Sequence, residues 1–533
     1  MNVILTVLPP DVGWDARFQP HLPMPEGAAG SESAQQLIDL ADQIQRHTFP
    51  VLGTIVHAGP EIRWRRDYSR GIETSLTYFR RIAYLDTPRS GDHKTIWELN
   101  RHQHLIVLAR AYRLTGQTRH LDEIRLQLES WIAQNPFQRG TNWASALEVA
   151  FRALSWIWVY HFVGPEMQPD FRARWLHVLY LHGCHLANNL SFYFSPNNHL
   201  VGEALVLHAL GLFFAGIPKA AHWEQLGARV MSEQMELQIR ADGSSFEQST
   251  YYQGYVYDMF RLHTILARPG PDYLAKLGRM ADFLDAIAGP ARRLPLLGDD
   301  DGGQLPPGAM QRASGAGKQQ SRLFPDAGLA VMTCGQVHAL VDAGPFGALH
   351  SGHSHSDTLS IVVSSGEEEI LIDPGTYTYT SDAELRDWFR GSSAHNTIRV
   401  DGRDQGVMAG PFRWTGQPEV KVLQWLTDSK RDVLEAECRY AGFTHRRRVE
   451  FQKPGVFLIH DSVDGPPGEH EIEQFWHLGS LAARSRLVLP VDAELTESWR
   501  STTFGEKHPA PMLRVHRRSK LPFSLETRID VNR

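Results

Sequence analysis

Three cysteines in 533 residues, Cys184, Cys334 and Cys438, are too few and too widely spaced for a disulfide framework or a cysteine-based metal site. Long apolar runs are missing as well, since no stretch reaches the ~20 residues that a membrane-spanning helix requires. Positive charge is not in excess. Against 60 Asp and Glu stand 54 Lys and Arg, a net charge of -6. That balance excludes the broad basic field of a nucleic-acid binder and leaves a polyanion only a locally basic cleft. Residues Met1 to Pro10 carry no basic leader and too short an apolar stretch for a signal peptide, so no secretory signal is visible. What remains is an ordinary globular composition, 42% hydrophobic and 21% charged, on a chain too long for one core. Histidine, at 26 residues, is the type present in unusual number.

The chain changes character near Pro325. Before it, apolar residues recur at helical spacing, as in Trp143-Ala146-Leu147-Ala150-Phe151-Leu154. That run and the stretches around 200–212 and 226–235 read as helices, as do 33–47, 95–115, 119–134, 170–189, 246–267 and 272–289. Short breaks such as Asn135-Pro136, Gly164-Pro165, Ser195-Pro196 and Arg268-Pro269-Gly270 separate them. Similar helices joined by short turns predict stacked antiparallel hairpins, which can curl into an (α/α) toroid. After Pro325, short β-rich runs dominate, among them 337–341, 359–363, 369–372, 449–451, 456–459 and 472–476, and an antiparallel β-sandwich is expected. The expected class is therefore α+β multidomain: an extension over 1–34, a toroid over 35–301, a Gly/Pro/Ala-rich linker over 302–324 and a sandwich over 325–533.

His353 and His355 stand two apart where a strand is expected to begin, so period two puts both on one face. The chain then runs out through Ile361-Val362-Val363, turns at Ser364-Ser365-Gly366 and returns to Asp373. A hairpin of that shape brings Asp373 close to His355, and His395, at the head of another expected strand, can approach the same face. Two imidazoles and a carboxylate suit a borderline divalent ion such as zinc or manganese. Polar side chains on a solvated sheet face are the plainer alternative.

Three ordered blocks carry a family resemblance: His353-Ser354-His355-Ser356-Asp357-Thr358-Leu359-Ser360, then Asp373-Pro374-Gly375-Thr376-Tyr377, then Phe389-Arg390-Gly391-Ser392-Ser393-Ala394-His395-Asn396-Thr397. In the helical half, Trp97-Glu98-Leu99-Asn100-Arg101, Asn197-Asn198-His199 and the run Asp242 to Ser249 join them. Together they resemble the heparinase II/III-like polysaccharide lyases, over most of the chain from about residue 35 onward. The resemblance implies an (α/α) toroid followed by a β-sandwich. It also implies β-elimination on uronic-acid polysaccharides such as heparan sulfate, chondroitin, hyaluronan or alginate.

The same resemblance implies roles. Asn198, assisted by His199, neutralises the uronate carboxylate; the alternative is that Asn197 or Asn198 only caps a helix. Tyr252 donates a proton to the leaving O4, and with a lowered pKa it also serves as base; His353 is base or a second charge neutraliser. His355, Asp373 and His395 are implied metal ligands, with the ion mainly structural. Tyr377, Arg390, Glu247, Trp97 and Arg101 are expected to meet substrate, with a plain surface salt bridge the alternative for Arg390. Trp97-Glu98 and the stretch from Trp143 through Glu148 to Arg152 either face sugar on inner helices or are buried packing with a Glu–Arg pair, the plainer reading. The implied partner is an anionic polysaccharide, with no nucleic acid and no membrane span. The implied compartment is periplasmic or extracellular, with the cytoplasm left open by the missing signal. Asp299-Asp300-Asp301 reads as a turn near the cleft, and Arg446-Arg447-Arg448 as a solvated edge or a rim for a polyanion. Two rivals stay open: a glycoside hydrolase using Glu247 with Asp299 or Asp300, and a non-catalytic polysaccharide-binding protein.

Overall fold

The computed structural model describes residues 34–193, 195–305, 319–490 and 492–533. Residues 1–33 of the extension expected over 1–34, and 306–318 of the linker expected over 302–324, lie outside the described residues. The chain divides into two compact units. The first comprises Met1–Met235, Asp258–Gly270 and Gly303–Gln311, and the second Glu236–Tyr257, Pro271–Gly302 and Arg312–Arg533.

Helices run in chain order as α1 (Ala34–Gln45), α2 (Thr87–Ser90), α3 (His93–Asn100), α4 (Gln103–Thr115), α5 (Thr118–Gln134) and α6 (Ala146–Val163). They continue as α7 (Pro169–Ala187), α8 (Asn198–Phe213), α9 (Ala220–Gln238), α10 (Thr250–Leu266), α11 (Pro271–Ala288) and α12 (Ala383–Arg390). In the first unit α4, α6 and α8 lie side by side, and α5 and α7 pack behind them as hairpin partners. The inner helices are covered nearly all round, so α6 and α8 bury almost every residue and lack the polar stripe of a surface helix. Helices α8 and α9 approach closely because Gly211 and Gly227 have no Cβ; one added there would fall 2.3 Å from the Glu224 backbone or 2.5 Å from that of His208. Trp131 and Trp143 flank buried Arg152, whose guanidinium stacks 4.4 Å from the Trp131 ring and donates to His182 and Asn142 O. The stretch from Trp143 to Arg152 is thus core packing, the plainer of its two readings.

The single helix expected over 95–115 is two, α3 and α4. The break falls at His102, whose backbone is left-handed (φ 58°) and whose Nδ1 accepts from the Trp156 indole. A tertiary partner thus overrides an unbroken helical pattern.

The second unit contains a five-stranded antiparallel sheet over Arg322–Phe324, Leu329–Cys334, Val337–Asp342, Ile361–Ser365 and Glu368–Leu371. A six-stranded antiparallel sheet runs in the order Glu419–Thr427, Arg431–Tyr440, Phe443–Gln452, Val456–Asp464, Phe523–Asp530, Leu487–Val488. Inward residues of both, including Ala339, Val341, Ile361 and Val363 from one and Leu434, Val449, Phe451 and Ile459 from the other, share one apolar core. This is the packing of a sandwich. The unit also holds a four-stranded sheet over Ile398–Val400, Glu469–His477, His508–Lys520 and Glu494–Arg500. Helical first region and antiparallel second region are the α+β class expected from the sequence.

Strand Phe443–Gln452 is central, not an edge. Its alternation turns Arg446 and Arg448 outward to Glu437 and Glu450, and sends Arg447 inward, buried, to a two-pronged pair with Asp461 and to Leu359 O and Asn396 O. Among the described residues no helix is long and apolar enough to cross a membrane.

Candidate active site

His353 and His355 do not lie in a strand. They occupy an irregular segment ahead of strand Ile361–Ser365, in which Ser351 and Leu359 take positive φ of 55° and 65°. Their rings are therefore placed by tertiary partners and not by the two-residue period. Asp299 lies between them. Its backbone N–H donates to His353 O at 2.9 Å, its Oδ2 accepts from His353 Nδ1 at 3.1 Å, and its Oδ1 accepts from His355 Nε2 at 3.0 Å. Arg386 of α12 grips the same carboxylate with both Nη atoms and donates to Pro411 O at 2.9 Å. Asp299 is fully buried and Arg386 is 1% exposed. Burial works against the Asp299 charge, but Arg386 and the two imidazoles outweigh it and hold the carboxyl well below the usual carboxylate range. The turn read at Asp299 is thus an ionic hub.

Tyr252, on the first turn of α10, stacks on the His353 ring with centroids 3.8 Å apart and planes 26° from parallel. Its hydroxyl lies 3.0 Å from that of Tyr379, whose ring packs against Phe412, Phe504 and the Arg386 guanidinium. Burial, then the negative charge of Asp301, pushes the Tyr252 phenol well above its usual range. The phenol is thereby kept protonated, which suits a proton donor and removes the lowered pKa that a tyrosine base would need. Glu247 Oε2 lies 3.5 Å from His353 Nε2, on the opposite side of the ring from Asp299.

The outgoing and returning strands form the expected hairpin. His355, Asp373 and His395 each place a ligand atom within 4.8 Å of the others, and all three are buried. His395 precedes its strand, which starts at Ile398, and is held by the neighbouring Asn396. That side chain donates to Ile361 O and Ile372 O and accepts from His477 N, so it ties the hairpin to strand Glu469–His477. Two buried ring nitrogens, His355 Nδ1 and His395 Nε2, have no hydrogen-bond partner. Close by, burial raises the Asp357 carboxyl against the pull of His395 and His355, and raises Asp342 with help from Asp357 and Asp373. Unpartnered imidazole nitrogens beside crowded carboxylates fit a divalent cation, which would satisfy the first and relieve the second.

In the first unit, Asn198 opens α8 and is buried, while Asn197 caps it by accepting from His199 N at 3.2 Å. Capping thus falls to Asn197. His199 is half-buried. Arg101 is 2% exposed and pairs through two donors with Glu148 and through a third with Glu98. Trp97 is half-buried and donates from its indole to Thr141 O. In the second unit Tyr377 is half-buried against Phe389, with Lys507 over its ring at 5.7 Å. Arg390, expected to meet substrate, is fully buried and spends its donors on Asp387, Gly410 O and Pro411 O, with Trp414 beneath it. It anchors the 410–411 turn instead. Arg101 is likewise turned to Glu148 and Glu98. Sequence reasoning passed over Arg386, Tyr379 and Asn396. Only Asn396, beside the expected ligand His395, carried a local signal.

The family model described as Heparinase II/III N-terminus matches residues 29–327, and that described as Heparinase II/III-like, C-terminal, matches 316–505. The chain belongs to the heparinase II/III-like family. Its curated relatives include a heparin-sulfate lyase of Bacteroides stercoris, 23% identical over a 464-residue alignment that covers 74% of this chain and 66% of that protein. Another is the heparin-sulfate lyase of Pedobacter heparinus, 24% identical over a 426-residue alignment that covers 70% of this chain and 61% of that one. The heparinase II/III-like match therefore spans just under two thirds of these relatives' length. Among solved structures, a heparinase III crystal structure aligns with a TM-score of 0.75 at 17% identity, covering 97% of this chain and 88% of that one. A heparan sulfate lyase from Pedobacter heparinus aligns at 0.59 and 18%, covering 95% and 86%. At these identities the likeness shows the heparinase fold.

Proposed function

We propose that the chain is a polysaccharide lyase that cleaves a uronic-acid-containing glycosaminoglycan by β-elimination, with heparan sulfate the first substrate to test. The observation that carries this reading is the stacked Tyr252–His353 pair, a protonated phenol beside an imidazole anchored by Asp299. Elimination needs a base for the C5 proton and an acid for O4 as the C4–O4 bond breaks and the C4=C5 bond forms. His353 is proposed as the base and Tyr252 as the acid. Asn198 and His199 keep, as a proposal, the carboxylate-neutralising role that the resemblance implies. The names of the relatives, heparin-sulfate lyases, support the substrate class.

The hydrolase reading that pairs Glu247 with Asp299 is disfavoured by the latter. A glycosidase carboxylate needs an oxygen free for water or sugar, and both oxygens of this buried group are already bonded. A divalent ion, zinc or manganese, is proposed at His355, Asp373 and His395, where it would order the hairpin; elimination consumes no water for it to activate. The family resemblance supports a periplasmic or extracellular enzyme, with the cytoplasm left open.

The test is incubation with heparan sulfate, chondroitin, hyaluronan and alginate, following ultraviolet absorbance and reducing ends. A lyase yields both, because the unsaturated uronate is conjugated. Reducing ends without absorbance would point to hydrolysis, and binding without either to a non-catalytic protein. Tyr252→Phe is expected to abolish the absorbance, and surviving activity would overturn the acid assignment.

A further inference from the structure

We propose that Asp299 is a positioning residue that sets the tautomers of two histidines at once, committing His355 Nδ1 to a metal ion and His353 Nε2 to the substrate. The proposal rests on the lyase reading for its substrate half and on geometry alone for the rest. A carboxylate gripped by both Nη atoms of a buried arginine accepts hydrogen bonds and donates none. Each ring nitrogen facing it must therefore carry the hydrogen. The nitrogen facing it differs between the rings: Nδ1 of His353 at 3.1 Å and Nε2 of His355 at 3.0 Å. In neutral rings the lone pairs then fall on opposite nitrogens, Nε2 of His353 and Nδ1 of His355. The second is one of the two buried ring nitrogens without a partner in the metal triad. The first lies on the side of the ring away from Asp299, where Glu247 is 3.5 Å off.

Two histidines one residue apart thus acquire different chemistry from one side chain. Carboxylates that orient a metal-bound imidazole, and carboxylates that hold a catalytic imidazole in its working tautomer, are separate devices elsewhere. Here the two oxygens of Asp299 perform both. The Asp299 N–H to His353 O bond locks backbone as well as side chain, and the Tyr252 ring fixes the imidazole plane. Arg386, which balances the carboxylate, joins the pair to the 411 turn.

The decisive measurement is the tautomer state in the full-length protein labelled with 15N-histidine, by long-range 1H–15N correlation. The expected wild-type result is hydrogen on Nδ1 of His353 and on Nε2 of His355. Hydrogen on Nε2 of His353 in the folded protein overturns the proposal. The Asp299→Asn variant offers one oxygen and one N–H₂, so it cannot accept from both rings. In it one ring is expected to change tautomer. On the susceptible polymer kcat is expected to fall by about 100-fold or more with KM within about 3-fold, as for a triad carboxylate turned to amide. Retained divalent ion is expected to bind about 10–100-fold more weakly. A folded Asp299→Asn protein with unchanged tautomers, metal affinity and kcat refutes the positioning role. If wild type cleaves no polymer, the lyase reading fails, while the tautomer and metal measurements still decide on Asp299.

Discussion

Replacing Arg386 by methionine removes the cation from a carboxylate that no water reaches. Asp299 is fully buried and Arg386 is 1% exposed, so neither charge is screened by solvent. Breaking a buried pair from one side leaves the other charge uncompensated and costs about 3–5 kcal/mol. The two imidazole donors remain and offset part of this, each charge-assisted bond being worth about 1.5–3 kcal/mol. Against that, the guanidinium also leaves Pro411 O and the face of Tyr379, where its carbon lies 4.9 Å from the ring centre. The balance predicts a loss of about 3 kcal/mol. Because the Asp299 carboxyl is held well below its ordinary value, its contribution is complete above the unfolded pKa of about 3.9 and is lost only as pH falls through the folded value. Neutral pH is therefore the condition for the assay, urea unfolding followed by tryptophan fluorescence. Asp299→Asn in the Arg386→Met background removes the stranded charge, and the double variant is expected to lose at least about 1 kcal/mol less than the sum of the singles. A single-variant loss under about 1 kcal/mol, or additive singles, would refute the ionic-hub account.

Gly298 has φ of 68°, and an added Cβ would lie 2.8 Å from both Gln248 O and His353 O. Gly298→Ala is expected to cost about 1–3 kcal/mol in the same unfolding assay and to lower kcat by shifting Asp299; a neutral substitution would contradict this placement. Glu203, buried on α8 and accepting from Ser191 N and Oγ, has its carboxyl pushed up to about 8 by burial, against the pull of those bonds. With the folded value raised, stability falls as pH rises from about 4.5 to about 8 and is then flat, and Glu203→Gln is expected to flatten that slope, measured as unfolding free energy at about pH 6 and about pH 9. Wild-type protein dialysed against metal-free buffer is expected to retain about one divalent ion per chain by elemental analysis, whereas His355→Ala and His395→Ala lose it together with thermal stability. Equal metal content in all three would remove the triad from consideration.

The class of fold was open to sequence reasoning because its signals are local. Apolar spacing marked α5, α7 and α11 to within about two residues, and the turn at Ser364-Ser365-Gly366 announced the hairpin that returns Asp373 to His355. Where a distant partner intervenes, the same reasoning erred. The break between α3 and α4 depends on Trp156, which lies 54 residues from His102. The inward turn of Arg447 depends on Asp461 and on carbonyls 88 and 51 residues away. Arg390 was expected to meet substrate, and its donors go instead to Asp387 and to the carbonyls of Gly410 and Pro411.

Sequence alone determined the helical and sheet halves, the family, and the presence of a histidine-rich centre built on His353 and His355. It could not divide the work between those two residues. In an extended strand they would have been equivalent. The irregular segment that holds them makes each ring answer to its contacts, and those contacts come from Asp299, 54 and 56 residues earlier, and through it from Arg386. Hydrogen-bond direction at a buried carboxylate is a property of three-dimensional neighbours, and tertiary structure alone decided which nitrogen of each ring is left free.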